Sequence, residues 1–318
     1  MITLIPGGRN MTGQKKNHLW TYIILAISIS AVGYLASMSI AQENGYLLPH
    51  TDNFFALFEQ GFQNSEHALI VLLFAAANWG PFVGAVVATR LESGAEGVAN
   101  LFGRVWKWRV ERRWYWAVII ITGAVALIPP LLALVLGLGS LSDLVAVVPW
   151  YFYVALFVFQ LLTSGMGEEV GWRGYLQPKM FERFKSNKAI WVTGLIWAIW
   201  HYPFVIFLYA SGMPADLPLA TKIVAILPNL AGFTMSIIAE TFIYAWLLKH
   251  NQSVFLAILY HAMGNTLAAI FGVAALAAGP LMLLPAILPW VIVFILEKRF
   301  GKESFLPSSF TNAEGKGT

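Results

Sequence analysis

Residues 115–138 read YWAVIIITGAVALIPPLLALVLGL, twenty-four residues without a charged side chain. Wound as a helix at 1.5 Å per residue, the stretch is about 36 Å long, enough to cross a hydrocarbon core roughly 30 Å thick. Lipid offers the backbone no hydrogen-bond partner, so a segment of this kind must satisfy its own N–H and C=O groups as a helix. Arg109, Arg112 and Arg113 stand immediately before it, the flank of a cytoplasmic span end.

The same pattern repeats outward in both directions. Further apolar stretches lie near 19–40, 68–89, 147–177, 189–209, 223–248, 253–275 and 281–296. Across all 318 residues 58% are apolar and 11% charged, against about 25% charged in soluble domains. This composition excludes a soluble domain and, with so much apolar surface to bury, a disordered chain. The absence of cysteine removes thiol nucleophiles, thiolate metal sites and a disulfide scaffold. The expected fold is all-α: a polytopic membrane protein of about eight transmembrane helices, both termini cytoplasmic.

Orientation has an independent test in the basic residues. With the N-terminus inside, nineteen of the twenty Lys and Arg residues fall on cytoplasmic segments, including Arg9, Lys107, Arg113, Lys185, Lys249 and Lys298. Lys222 is the exception, while Glu43, Asp52, Glu59, Glu66, Asp143 and Asp216 occupy the outer loops. Location in a bacterial cell membrane is expected. Lys15, Lys16 and Ser39-Ile40-Ala41 imitate a cleavable secretory signal, but the apolar stretch between them exceeds a signal core.

Three regions follow: a tail, first helix and external loop over 1–67, an intramembrane domain over 68–296, and a cytoplasmic tail over 297–318, read as disordered after Glu303. Two loops carry apolar stripes. Val98, Leu101, Phe102, Val105 and Trp106 suit either a helix in the cytoplasmic headgroup layer or an ordinary basic loop. Phe54, Phe55, Leu57, Phe58 and Phe62 suit an outer interfacial segment.

Ionisable residues inside spans cost about 2.5–3.5 kcal/mol each on insertion scales and mark function by default. Here they are Glu168, Glu169, Arg173, His201, Glu240 and His261; the other histidines, His18, His50, His67 and His250, fall at loops or span edges. Counting inward from the span ends puts His201 about 18 Å, Glu168 about 15 Å, and His261 and Glu240 about 12 Å from the cytoplasmic face. Four helices thus present polar groups in one thin layer. Glu169 and Arg173 are i,i+4 neighbours that can pair and stiffen one turn, with Glu168 rotated about 100° from Glu169. His261 and Asn265 share a helix face. A carboxylate base, two imidazoles and an amide are the inventory for activating water and stabilising an oxyanion. Glu240 also reads as a structural partner of the layer, and Asn265 as interhelical glue.

Glu168-Glu169-Val170-Gly171-Trp172-Arg173, Trp197-Ala198-Ile199-Trp200-His201 and His261-Ala262-Met263-Gly264-Asn265 follow one another on separate spans. In order and placement they resemble the Glu-Glu-x-x-x-Arg, Phe-x-x-x-His and His-x-x-x-Asn motifs of the CPBP intramembrane proteases. That family comprises the type II CAAX prenyl endopeptidases and bacteriocin-processing or self-immunity relatives. The resemblance covers 68–296 and departs at Trp197, where Phe is usual; that exchange reads as a changed aromatic wall. It implies an endopeptidase acting on a membrane-associated or lipidated peptide in a cavity open to the cytoplasm, with no nucleic-acid partner. By this likeness Glu168 is the base that activates water and His201 holds that water. His261 and Asn265 form the oxyanion site, while Glu169 and Arg173 orient the catalytic turn. A metal-free glutamic mechanism is favoured over zinc held by Glu168, His201 and His261, since no His-Glu-x-x-His occurs. Rival readings are a proton- or ion-coupled transporter, which strings polar groups through the full membrane depth, and a non-catalytic relative that binds lipidated peptides.

Overall fold

The computed structural model describes residues 17–50, 53–140, 148–214, 216–276, 281 and 283–307, and the side chains of all of these but 272–276. Arg9, Lys15, Lys16, Asp52 and Asp143, named above, lie outside the described residues.

Ten helices appear among the described residues: α1 (Leu19–Asn44), α2 (Phe54–Gln60), α3 (Ser65–Ala77), α4 (Gly80–Val105), α5 (Arg112–Val135), α6 (Trp150–Phe184), α7 (Lys188–Ser211), α8 (Leu219–Asn251), α9 (Val254–Leu276) and α10 (Leu284–Phe300). The protein is a polytopic helical membrane protein. Six helices (α1 and α5 to α9) are long and apolar enough to cross a bilayer, and α3 with α4 forms a seventh, bent by 48°. The eighth expected span corresponds to α10, 17 residues or about 25 Å.

The bend has a local cause. Asn64 caps α3, its side chain accepting the His67 N–H at 2.8 Å. At the other end Pro81, in the first turn of α4, has no N–H to continue the preceding turns, so the chain restarts as a new helix. A second kink falls at Gly94, whose φ of 67° is left-handed.

α1 packs against α3, α4 and α7, α5 against α9, and α8 against α7 and α10. One apolar core joins them, and Tyr22, Tyr34 and Met38 of α1 belong to it along with Trp172 of α6 and Ile243 of α8.

Three expectations change. The stripe after residue 91 faces protein rather than lipid: Leu101 and Val105 are buried in the core, and Arg104 donates from Nη2 to the Gly174 carbonyl at 2.5 Å. Trp106 alone of the stripe is exposed. α2 lays Phe54 and Leu57 inward, with Phe54 against Phe159 of α6, and leaves Phe58 and Phe62 exposed. The chain after Glu303 is ordered as far as it is described. Lys302–Phe305 forms a short 3₁₀ turn, Phe305 is buried against Phe242, and the Lys249 ammonium donates to the Glu303 carbonyl. Burying Phe305 offsets the ordering of that short segment.

Candidate active site

The site grows from an irregularity in α6. Regular winding stops at Gln160; Leu161–Glu168 and Trp172–Leu176 are π-helical, on either side of the short α-turn Glu169–Gly171. π-winding closes i→i+5 hydrogen bonds, and it concentrates at functional sites because it re-aims the side chains that follow. Close packing holds the segment. A Cβ built on Gly171 would sit 2.4 Å from Pro81 Cβ, so only glycine lets α6 lie directly on the start of α4.

This winding points Glu168 and Glu169 at different partners. Glu168 is buried, and its Oε2 accepts the Trp197 indole N–H at 2.8 Å. The same oxygen is 3.8 Å from His201 Nε2. That separation is too long for a direct hydrogen bond and suits a bridging water. The His201 ring is oriented from behind: Nδ1 lies 2.9 Å from the Trp197 carbonyl, which can only accept. The proton therefore sits on Nδ1, and in the neutral ring Nε2 is left as an acceptor facing Glu168. This carbonyl is not the one freed by Pro203, which belongs to Ile199.

Glu169 faces the opposite way. Its Oε2 lies 3.1 Å from Arg173 Nη1, and its Oε1 lies 2.7 Å from His261 Nδ1. Arg173 is fully buried; its guanidinium lies between two rings, 3.9 Å from the Trp197 centroid and 3.6 Å from that of Tyr244. Two aromatic faces and a carboxylate replace the water such a cation loses. His261, held through Nδ1, turns Nε2 to the cavity. Asn265, one turn further along α9, donates from Nδ2 to Gln160 Oε1 at 3.1 Å, and Ser164 Oγ donates to the same oxygen at 2.7 Å. Glu240 lies on the cavity wall and accepts the Tyr260 hydroxyl at 2.6 Å.

Glu168, His201, Glu240, His261 and Asn265 thus all line one cavity of about 410 Å³, with Glu169 and Arg173 buried behind them. The sequence missed three participants. Trp197 is a hydrogen-bond donor to Glu168 as well as a wall. Tyr244 closes the second face of Arg173. Gln160 fixes the Asn265 amide. Tyr244 and Gln160 are uncharged residues in apolar stretches, and only the fold brings them to the site. His67 is structural, its Nε2 lying 2.8 Å from the Leu47 carbonyl.

The cavity does not run towards the basic loops. At that end of the bundle Glu92 binds the His18 N–H and the Tyr175 hydroxyl, and the Ser253 hydroxyl donates to the Lys107 carbonyl. Tyr22 packs there against Trp172 and Tyr175, and with Leu101 and Leu176 these side chains are buried in the core. The cavity extends the other way, past Phe159, Phe204 and Phe233 to Pro49 and His50 in the α1–α2 connection.

No three His, Asp or Glu side chains are grouped to hold a metal ion among the described residues. His261 Nδ1 is committed to Glu169.

Residues 149–267 match the family described as type II CAAX prenyl endopeptidase Rce1-like. A curated relative, CAAX prenyl protease 2 of Methanococcus maripaludis, is 32% identical over 109 residues, which cover 34% of this chain and 38% of that protein. The chain therefore aligns with well under half the length of that relative. Every side chain assembled above, from Gln160 to Asn265, lies in the matched segment. Over that segment the chain is similar to the type II CAAX prenyl endopeptidases.

Proposed function

We propose that the protein is an intramembrane endopeptidase that hydrolyses a peptide bond with water activated by Glu168, the catalytic unit being residues 68–296. One observation carries the reading: Glu168 Oε2 and His201 Nε2, 3.8 Å apart and both acceptors, face a cavity across which His261 and Asn265 stand. A water between the two acceptors donates one hydrogen to each and aims a lone pair outward. Glu168 takes the first proton as the water oxygen bonds to the scissile carbonyl carbon. The carbonyl oxygen becomes an oxyanion, within reach of Asn265 Nδ2 and of His261 Nε2 when that ring is doubly protonated. Glu168 then returns its proton to the departing amine as the C–N bond breaks. Glu169 and Arg173 act through His261 and the π turn and are positioning residues. The apolar walls suit a membrane-associated or lipidated peptide, prenylated tails included. A transporter would need a polar path on both sides of the layer, and the packed side chains behind Arg173 favour the hydrolase.

Replacing the base while keeping its shape is the direct test. Glu168→Gln is expected to lower turnover of a membrane-presented peptide by about 10²–10⁴-fold with unchanged expression. Equal product profiles in membranes carrying wild type and Glu168→Gln would overturn the hydrolase. The metal-free form of the mechanism has its own check, since chelation should leave turnover unchanged. Stoichiometric zinc that departs together with activity in His201→Ala would replace it.

A further inference from the structure

Away from the active site, the α4–α5 connection and the α8–α9 turn together line an open groove of about 970 Å³. Three cations from two distant parts of the chain face it: Lys107 and Arg109 from the first segment and Lys249 from the second. Glu111, the acid among its lining residues, is already paired with Arg113 Nη2 at 2.8 Å. Among the described residues no carboxylate lies within ion-pair distance of Lys107, Arg109 or Lys249. The groove therefore presents a net positive charge that the protein does not itself neutralise.

Its walls are braced. The Ser253 hydroxyl donates to the Lys107 carbonyl at 2.7 Å, and the Tyr115 hydroxyl donates to the Trp108 carbonyl. The Arg109 guanidinium lies 5.0 Å from the Trp108 ring centroid. Trp114 and His250 also line the groove, their rings stacked with centroids 5.0 Å apart. The position along the helices is that of the membrane surface. α5 begins at Arg112 and carries no charge from Trp114 onwards, and the apolar part of α8 gives way to Lys249 and His250. Trp106, Trp108 and Trp116 are exposed beside it, and tryptophan favours the headgroup layer.

We propose that this groove binds the phosphate of an anionic phospholipid headgroup, held by Lys107, Arg109 and Lys249. The site is independent of the hydrolase reading. Occupancy ties the start of α5 to the end of α8 and, through Ser253, to the start of α9, the helices that carry Tyr244 and His261.

Purified protein in a neutral detergent is offered phosphatidylglycerol or phosphatidylcholine, and retained lipid is counted by native mass spectrometry. Each basic side chain at an anionic surface favours binding by about fivefold, so three should give phosphatidylglycerol an advantage of about a hundredfold. Lys107→Gln/Arg109→Gln/Lys249→Gln should abolish that preference. Lys188→Gln/Lys298→Gln/Arg299→Gln removes the same charge from exposed positions at the same end of the bundle and should keep it. Equal loss in the two triple variants would reduce the effect to net charge and overturn the site, as would an advantage below about tenfold in the wild type. Inorganic phosphate tests the source of the ligand: if it displaces phosphatidylglycerol at equal concentration, the lipid is overturned in favour of a soluble phosphate. If the groove triple is not produced, Arg109→Gln alone should weaken phosphatidylglycerol binding by about fivefold, and unchanged binding overturns the proposal.

Discussion

Trp197 touches most of the site through one residue. Its indole N–H holds Glu168 Oε2, its carbonyl holds His201 Nδ1, and its ring covers one face of the Arg173 guanidinium. Exchanging it for Phe separates these roles, because Phe keeps a ring and a carbonyl but cannot donate to Glu168. A hydrogen bond to an ionised partner contributes about 1.5–3 kcal/mol, and only the part that aligns the carboxylate for proton transfer bears on rate. Trp197→Phe is therefore expected to lower kcat about threefold to thirtyfold with KM nearly unchanged, read by steady-state kinetics on a membrane-presented peptide. An unchanged kcat would reduce Trp197 to the aromatic wall its sequence position suggested. At this scale the sequence was partly legible. Glu169 and Arg173 announce their pairing through i,i+4 spacing, whereas Glu169 and His261, 92 positions apart, meet only through the fold. Nothing in local spacing marks the neutral groups Gln160 and Tyr244.

Helix α6 explains why these side chains converge. A regular helix from Trp150 to Phe184 would carry Glu168 and Glu169 round at 100° per residue, as the sequence suggests. The π stretches change that phase, and they depend on contacts with α3, α4 and α9 that no local pattern encodes. The apolar length of each span was legible because lipid imposes it. The break between α3 and α4 was not, since hydropathy runs on through Asn78 and Trp79. Gly171 tests the packing. A methyl group there meets Pro81 Cβ at 2.4 Å and the Pro81 carbonyl carbon at 2.6 Å, so backbone must move. Overpacking of this kind costs about 1–3 kcal/mol. Gly171→Ala should lower the thermal unfolding midpoint in detergent and reduce turnover, because the displaced turn carries Glu168. Gly264→Ala is the control: its nearest neighbour is Thr122 Cγ2 at 4.0 Å, and stability should hold. Equal midpoints for the two variants would show that α6 is not held by close contact with α4.

At the scale of the whole molecule the two ends differ in how they are closed. The end bearing the basic loops is tied by one carboxylate. Glu92 Oε1 accepts from the His18 N–H at 2.9 Å and the Tyr175 hydroxyl at 2.7 Å, and Oε2 lies 2.8 Å from Lys179 Nζ. One side chain on α4 thereby fastens the start of α1 and the last turns of α6, with only 6% of its surface exposed. The cavity end has rings rather than ties: Phe204 packs against Tyr34 and Phe74 beside His50. Removing Glu92 would strand the His18 N–H and the Tyr175 hydroxyl at once, while Lys179 would keep Glu182 at 3.6 Å. Glu92→Ala is expected to cost about 2–4 kcal/mol, since all three bonds end on a carboxylate and the two donors left without a partner, the His18 N–H and the Tyr175 hydroxyl, each cost roughly 1–3 kcal/mol when orphaned. Glu92→Gln, which keeps an acceptor for His18 and Tyr175 but loses the charge facing Lys179, should cost about half as much. Unfolding midpoints of the purified variants give the ranking wild type, Glu92→Gln, Glu92→Ala. If all three unfold together, this end is held by its apolar layer of Tyr22, Leu101 and Trp172 rather than by the tie.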